Sequence, residues 1–203
     1  MSGSIHFRRQ PRQQRAEKTV ARIMDATLAL ILEGGYSTLT TNRIAEKSGV
    51  NIASLYQYFP SKLAIVHAIY ERAAAEYART VNLAIMSQIG EPLEDALPRV
   101  IRQVLKLLAR EQAVFVRLVE EVPELRQSAA GISLEKLSLD TSHRFVKVHL
   151  AGMDDATLRL RTFCLQYASL PLINRYLADR PAGISQRRFV EELTRICIAI
   201  LKG

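Results

Sequence analysis

Apolar residues recur at helical spacing along almost the whole chain, and nowhere in a sustained two-residue alternation. Val20, Ile23, Thr27, Leu30 and Ile31 fall on one face of a helix from about Glu17 to Glu33. Val66, Tyr70, Ala73, Tyr77, Val81 and Ala84 make a longer stripe. A period of 3.6 places such residues on one side of a helix, whereas a strand needs a period of two. The chain is therefore predicted to be all-α. Its punctuation cuts it into about nine helices: Gly34-Gly35, Gly49, Pro60, Gly90-Glu91-Pro92, Pro123, Gly152 and "DRPAG" at 179–183. After the long stripe, helices are expected at about 93–110, 112–122, 125–150, 154–179 and 185–201.

With 203 residues, nearly half of them hydrophobic, the chain can bury a sizeable core. It contains no apolar run of the roughly 18 residues a membrane span needs, and its basic start lacks the apolar stretch of a secretory signal. Cys164 and Cys197 stand alone among apolar residues, which points to a reducing, cytoplasmic setting. Charge is unevenly spread. Residues 1–62 hold nine Lys+Arg and four Asp+Glu, a net of +5 out of the chain's +8. That asymmetry points to a polyanion at the N-terminal end.

That end also carries two short helical segments around a glycine, "TNRIAEK", "SGV" and "IASLYQY", which is a helix-turn-helix arrangement. Thr40 or Thr41 can cap the first segment, and Pro60 ends the second, because a residue before proline avoids helical geometry. Ile44, Ala45, Val50 and Leu55 supply inward contacts. The outward face shows Ile52, Ala53, Ser54 and Gln57, with Tyr56 and Tyr58 nearby and no charge. Small groups, hydroxyls and an amide suit the DNA major groove: Gln57 for an adenine edge, Ile52 or Ala53 for a thymine methyl. The arm "HFRRQPRQQR" suits the phosphate backbone or the minor groove. A bland reading, a helix hairpin inside an ordinary bundle, fits the same spacing.

The run from Thr38 to Ile69, "TLTTNRIAEKSGVNIASLYQYFPSKLAIVHAI", resembles the DNA-binding domain of the tetracycline-repressor (TetR) family of bacterial transcription regulators. Its most specific part is Leu55-Tyr56-Gln57-Tyr58-Phe59-Pro60-Ser61-Lys62, and the match covers about residues 17–75. The resemblance implies a basic arm at 1–16, a DNA-binding domain at 17–75 with its motif at about 40–59, and a helical effector-binding and dimerisation domain at 76–203. It implies that Thr40, Thr41, Asn42 and Arg43 approach phosphates or base edges at the start of the motif. Ile52, Ala53, Ser54, Gln57 and Tyr58 would read the groove, and Tyr56 and Lys62 would meet the backbone. The family commonly has an acidic residue after the lysine, where this chain has Leu63-Ala64. The capping box that Ser61 would form is thus incomplete, and a slightly weaker start to the next helix is expected.

The resemblance further implies a homodimer, a palindromic operator in double-stranded DNA and a small apolar effector. The last helix repeats Phe189, Leu193, Ile196 and Ile200, and the one before it offers Leu158, Leu165 and Leu172. These are the expected dimer face. A pocket should be mostly apolar with a few polar groups, and Tyr70, Tyr77, Phe115, His143, Phe163 and Gln166 are the candidates for its lining.

Catalytic chemistry is not visible. His6, His67, His143 and His149 lack metal-ligand spacing. "SLEK" at Ser133 matches an acyl-enzyme pattern without its companion motifs. Glu120, Glu121 and Glu124 read as a solvated helix end, and no phosphate-binding glycine loop appears. No cofactor and no metal is expected. The alternative function is a helical small-molecule-binding protein or enzyme whose N-terminal hairpin is purely structural.

Overall fold

The computed structural model describes residues 11–111 and 113–203, which contain ten α-helices and no strand. Most of the basic arm, including Arg8 and Arg9, lies outside the described residues. Residues 11–16 form the first turns of a helix. The chain divides into two compact units that meet within the fourth helix, between Ile69 and Tyr70.

The first unit contains α1 (Pro11–Gly34), a 3-10 turn (Tyr36–Thr38), α2 (Thr41–Ser48), α3 (Ile52–Tyr58) and the start of α4 (Lys62–Met86). Ile23, Ile31, Leu39, Ile44, Leu55, Ile65 and Ile69 are among its fully buried side chains. Each short helix is locally specified. Extended Thr40 accepts a hydrogen bond from the Arg43 N–H at 3.3 Å, so it, and not Thr41, caps α2. Gly49 ends α2 at φ 63°, a left-handed conformation that glycine adopts without a Cβ clash. Asn51 Oδ1 accepts from Ala53 N–H at 2.8 Å and starts α3. Ser61 Oγ accepts from Ala64 N–H at 3.2 Å, so α4 is capped even without an acidic neighbour. Lys62 then ties the 3-10 turn to α4. Its ammonium donates to Leu39 O at 3.0 Å and Tyr36 O at 3.4 Å and lies 4.4 Å from the Tyr36 ring centroid.

The second unit continues α4 and adds α5 (Leu93–Arg110), a π-helical stretch (Ala113–Leu118), α6 (Val119–Glu121) and α7 (Glu124–Gln127). It ends with α8 (Ala129–His149), α9 (Asp155–Asp179) and α10 (Gln186–Lys202). Its core joins Leu97, Ile101 and Leu105 of α5 to Phe145 and Val146 of α8, Leu158 of α9, and Leu193, Cys197 and Leu201 of α10. Burial pushes the Cys197 thiol up to about 12, so it packs as a neutral apolar group.

Two expected helices differ from those observed. The one at 112–122 is a π-helical stretch followed by a single α turn. The one at 125–150 is split, because Ser128 is extended (φ −67°, ψ 160°) and caps α8 by accepting from Gly131 N–H at 3.2 Å. A serine just before a helical run is an N-cap signal, and apolar periodicity running across it masks the break. Gly131 is required here by space. A Cβ on it would lie 2.4 Å from Arg126 O and 2.5 Å from Leu125 O, both backbone atoms that cannot swing away.

Two stability outcomes follow from these contacts. Gly131→Ala should destabilise the chain by about 1–3 kcal/mol through overpacking against fixed carbonyls, read as a drop of several degrees in thermal melting. Lys62→Ala should cost about 1–2 kcal/mol by leaving two carbonyls without their donor, read in the same melt. A melt unchanged for Lys62→Ala would show that its bonds to the turn carry no weight.

Candidate functional sites

The outward face of α3 is presented by burial on its other side. Leu55 is wholly buried and Phe59 nearly so, while Ala53, Tyr56, Gln57 and Tyr58 are exposed and Ile52 and Ser54 are half-buried. The four aromatic and aliphatic residues of "LYQYF" thus split by side: Leu55 and Phe59 anchor, and Tyr56, at 51 % exposure, points out with Tyr58. On the neighbouring helix, Asn42 and Arg43 are exposed and Thr41 is half-buried. The Thr41 hydroxyl and the Tyr56 phenol share a hydrogen bond at 3.0 Å. This bond joins the start of α2 to the middle of α3 and places two hydroxyls side by side at the surface. Arg43 donates to Thr38 O at 2.9 Å, which holds its guanidinium at the same edge with donors to spare.

Sequence reasoning passed over Arg22. Its guanidinium donates to Ser48 O and, at 3.1 Å, to Gly49 O. Those carbonyls end α2, where orphan acceptors and the negative end of the helix dipole favour a cation. A Cβ at Gly49 would come within 2.9 Å of the same guanidinium. The only sequence signal was an arginine on the polar side of α1. Glu33 and Lys47 add a surface ion pair at 2.7 Å between the same helices, a contact of small energy.

In the second unit, a cavity of about 480 Å³ lies among α4, the π-helical stretch, α8 and α9. Four of the expected pocket residues, Tyr70, Tyr77, Phe115 and Gln166, line it. The Phe115 ring meets Tyr70 and Tyr77 edge to face, with centroids 6.0 and 5.6 Å apart. Leu108, Val119, Leu134 and Leu170 complete its apolar wall. At the buried end stands a neutral polar chain. Tyr77 and Ser138 are hydrogen-bonded, Gln166 Nε2 donates to Ser138 Oγ at 2.7 Å, and Ser142 Oγ donates to Gln166 Oε1 at 3.2 Å. Burial pushes the Tyr77 phenol up to about 12. Tyr70 is raised as well, chiefly by burial, with Arg126 opposing and Glu135 adding. Both phenols are therefore neutral donors at neutral pH. The rim carries Glu120, Arg126, Glu135 and Arg175.

His143 and Phe163 lie away from this cavity. Phe163 is 53 % exposed and packs on Tyr167 at 4.5 Å, and His143 Nε2 stands 3.9 Å from Asp155. Phe163 sits on the outer side of α9, whose buried face is set by Leu158, Thr162, Leu165, Gln166, Ile173 and Leu177.

That register also divides the residues expected at a dimer face. Leu158, Leu165 and Leu193 are 3, 8 and 1 % exposed and pack inside the chain's own core. Leu172 and Ile196 are exposed, and Phe189 and Ile200 are half-buried. A broad apolar arc on a helix serves two faces, and apolarity alone does not say which residues turn inward. Tyr167, which the sequence also offered for this face, is exposed, and with it on one side of α9 stand Leu160, which sequence reasoning missed, and Phe163, which it had placed in the pocket. Another hollow, of about 530 Å³, gathers Leu172, Phe189, Leu193 and Ile196 between α9 and α10. Tyr176 stacks on Phe189 beside it, with centroids 3.9 Å apart.

Among the described residues no cluster of His, Cys, Asp and Glu could hold a metal ion, and no helix is long and apolar enough to cross a membrane.

Comparison with known proteins agrees with this architecture. Residues 23–69 match the model for bacterial regulatory proteins of the tetR family. The HTH-type transcriptional repressor KstR of Rhodococcus jostii is 34% identical over 90 residues, which are 44% of this chain and 41% of that protein. KstR of Mycolicibacterium smegmatis is 41% identical over 58 residues, 29% of this chain and 27% of that one. The matches thus span less than half of these relatives. Among solved structures, a tetR-family transcriptional regulator from Streptomyces coelicolor aligns with a TM-score of 0.70 at 19% identity, covering 91% of this chain and 80% of that one. The regulator FadR from Bacillus subtilis, solved with stearoyl-CoA, aligns with a TM-score of 0.63 at 19% identity, covering 90% and 95%. These likenesses extend the shared all-α fold over nearly the whole chain, and the N-terminal match carries the motif itself. Residues 23–69 thus carry the sequence of a tetR-family regulatory segment, and the remainder of the chain shares the all-α fold of such regulators.

Proposed function

We propose that this protein is a sequence-specific DNA-binding transcriptional regulator, a cytoplasmic repressor that a small molecule releases from its operator. The observation that carries the reading is the two-sidedness of α3, buried through Leu55 and Phe59 and uncharged on the side that shows Ile52, Ala53, Ser54 and Gln57. A helix so built can enter the major groove without forcing a fixed charge against base edges. Thr41, Tyr56 and Arg43 lie at its border and would bond phosphates. Lys62 would assist with the one N–H left after its bonds to Leu39 and Tyr36. Supporting names come from relatives: repressors at the motif and a stearoyl-CoA-bound regulator among the fold neighbours.

A homodimer suits this reading, because two-fold symmetry reads a palindrome with paired α3 helices. The exposed residues on α9 and α10, chiefly Leu160, Phe163, Leu172 and Ile196, are the proposed contact. The cavity in the second unit is the proposed effector site. Its lining includes Tyr70 and Tyr77 of α4, the same helix that begins at Lys62 beside the motif.

Selection of binding sites from random DNA should return a palindrome whose half-sites are one helical turn apart, and a pool with no enriched palindrome would overturn the reading. Within the selected site, Gln57→Ala should relax preference at one base pair by about 1–3 kcal/mol. Tyr56→Phe should weaken binding to all sequences alike while leaving thermal melting nearly unchanged, since its hydroxyl is exposed and its ring remains.

A further inference from the structure

The polar groups of the cavity specify more than an apolar guest. Two hydroxyls, of Tyr77 and Ser138, share one hydrogen bond, so only one of their two protons lies between the oxygens. The other proton, and the second hydrogen of Gln166 Nε2, remain as donors at the buried end. Eight residues farther along α9, Asn174 also lines the cavity, and its Oδ1 is buried without a hydrogen-bond partner. At 1.5 Å per residue, Gln166 and Asn174 stand about 12 Å apart along the helix. Leu170 lies midway between them on the same side. An unpartnered buried amide is costly to leave unmet, and a hydroxyl, which both donates and accepts, satisfies either end of it.

Charge narrows the class further. Every polar group at the buried end is neutral, and a buried ligand charge is expensive without a charged partner. The rim offers two acids and two bases. Arg175 is already paired with Asp179 at 2.6 Å, and Tyr167 donates to Glu135. Counting Asp179, the rim holds three acids against two bases, so it has no spare cation with which to choose an anion.

We propose that the cavity binds an uncharged, elongated apolar molecule with a carbonyl oxygen at the Tyr77–Ser138–Gln166 end and a hydroxyl at Asn174. This rests on the effector reading of the cavity and names the chemistry of its occupant. The hydroxy ketone sets its carbonyl against the donors of the Tyr77–Ser138–Gln166 chain, its hydroxyl against the unpartnered Asn174 Oδ1, and its middle against Phe115, Leu134 and Leu170.

The test uses the full chain and calorimetric titration with three straight-chain probes of one length. They are a methyl ketone with a hydroxyl at the far end, the same ketone without the hydroxyl, and the corresponding keto carboxylate. The hydroxy ketone should bind about tenfold tighter than the plain ketone, and the carboxylate most weakly. Asn174→Leu, or Asn174→Ala where the larger residue perturbs folding, should erase the tenfold advantage while leaving the plain ketone unchanged. Tyr77→Phe combined with Ser138→Ala should weaken both ketones about equally. Tightest binding by the carboxylate would move the head group to Arg126 and overturn the proposal. So would equal weakening of all three probes by Asn174→Leu, or no binding by any. Operator binding is measured on the same samples. A hydroxy ketone that binds as expected but leaves the operator complex intact upholds the ligand class and overturns the effector reading instead.

Discussion

The turn between α2 and α3 depends on one guanidinium. Arg22 of α1 donates to the carbonyls of Ser48 and Gly49, the last acceptors of α2, and so fixes where the chain leaves that helix. Gly49 can then take its left-handed conformation and return its own N–H to Ala45 and Glu46. The direction of α3 follows from that exit, because Asn51 caps it only two residues later. Hydrogen bonds to charged groups are worth about 1.5–3 kcal/mol, against roughly 1 for neutral ones. A surface ion pair such as Glu33–Lys47 contributes less. The three-residue turn is therefore held chiefly by a cation at a helix C-terminus, and the outward face of α3 inherits its orientation from that contact.

The N-terminal unit was almost entirely legible because its signals are local. Thr40, Gly49, Pro60 and Ser61 each act within three residues of themselves, and α3 runs from Ile52 to Tyr58 as its spacing predicts. The long fourth, fifth, ninth and tenth helices are equally plain from punctuation. What the sequence hid is non-local. Arg22 is an ordinary polar residue until the fold brings it to Ser48, 26 positions away. Gly131 reads as a tolerated helical glycine until the carbonyls of Leu125 and Arg126 are placed against it. The same limit applies to the residues expected at a dimer face. Phe189 and Leu193 follow one helical period, yet only the packing of α5 and α9 against α10 decides that Leu193 is core.

The cavity was half legible, and for a similar reason. Tyr70 and Tyr77 are two turns apart on α4, and that spacing put both on one side. Phe115 was apparent as an aromatic but not as a partner. It belongs to a π-helical stretch that periodicity of 3.6 cannot describe, and such segments are frequent at functional sites. Gln166 stood out as an amide on an apolar helix. Its partners Ser138 and Ser142 did not, because serine on a helix is unremarkable until a buried acceptor or donor faces it.

The aromatic trio also limits how a bound molecule can act at a distance. Of the cavity's lining residues, only Tyr70 and Tyr77 belong to the helix that starts beside the helix-turn-helix motif. A ligand shifts an equilibrium only by its differential affinity for the two states. On the proposed reading, that difference must pass through the contacts α4 makes with Phe115 and with Ser138. Edge-to-face aromatic pairs are worth about 0.5–1.5 kcal/mol each, and one neutral hydrogen bond about 1 kcal/mol. Together these contacts offer about 2–4 kcal/mol, which covers the 1–3 kcal/mol typical of coupling between sites. A complete switch from one state to the other needs about 5.5 kcal/mol, more than one chain's contacts provide. Two coupled chains moving together would supply it, so the same reading that asks for a dimer at the operator also asks for one at the release step.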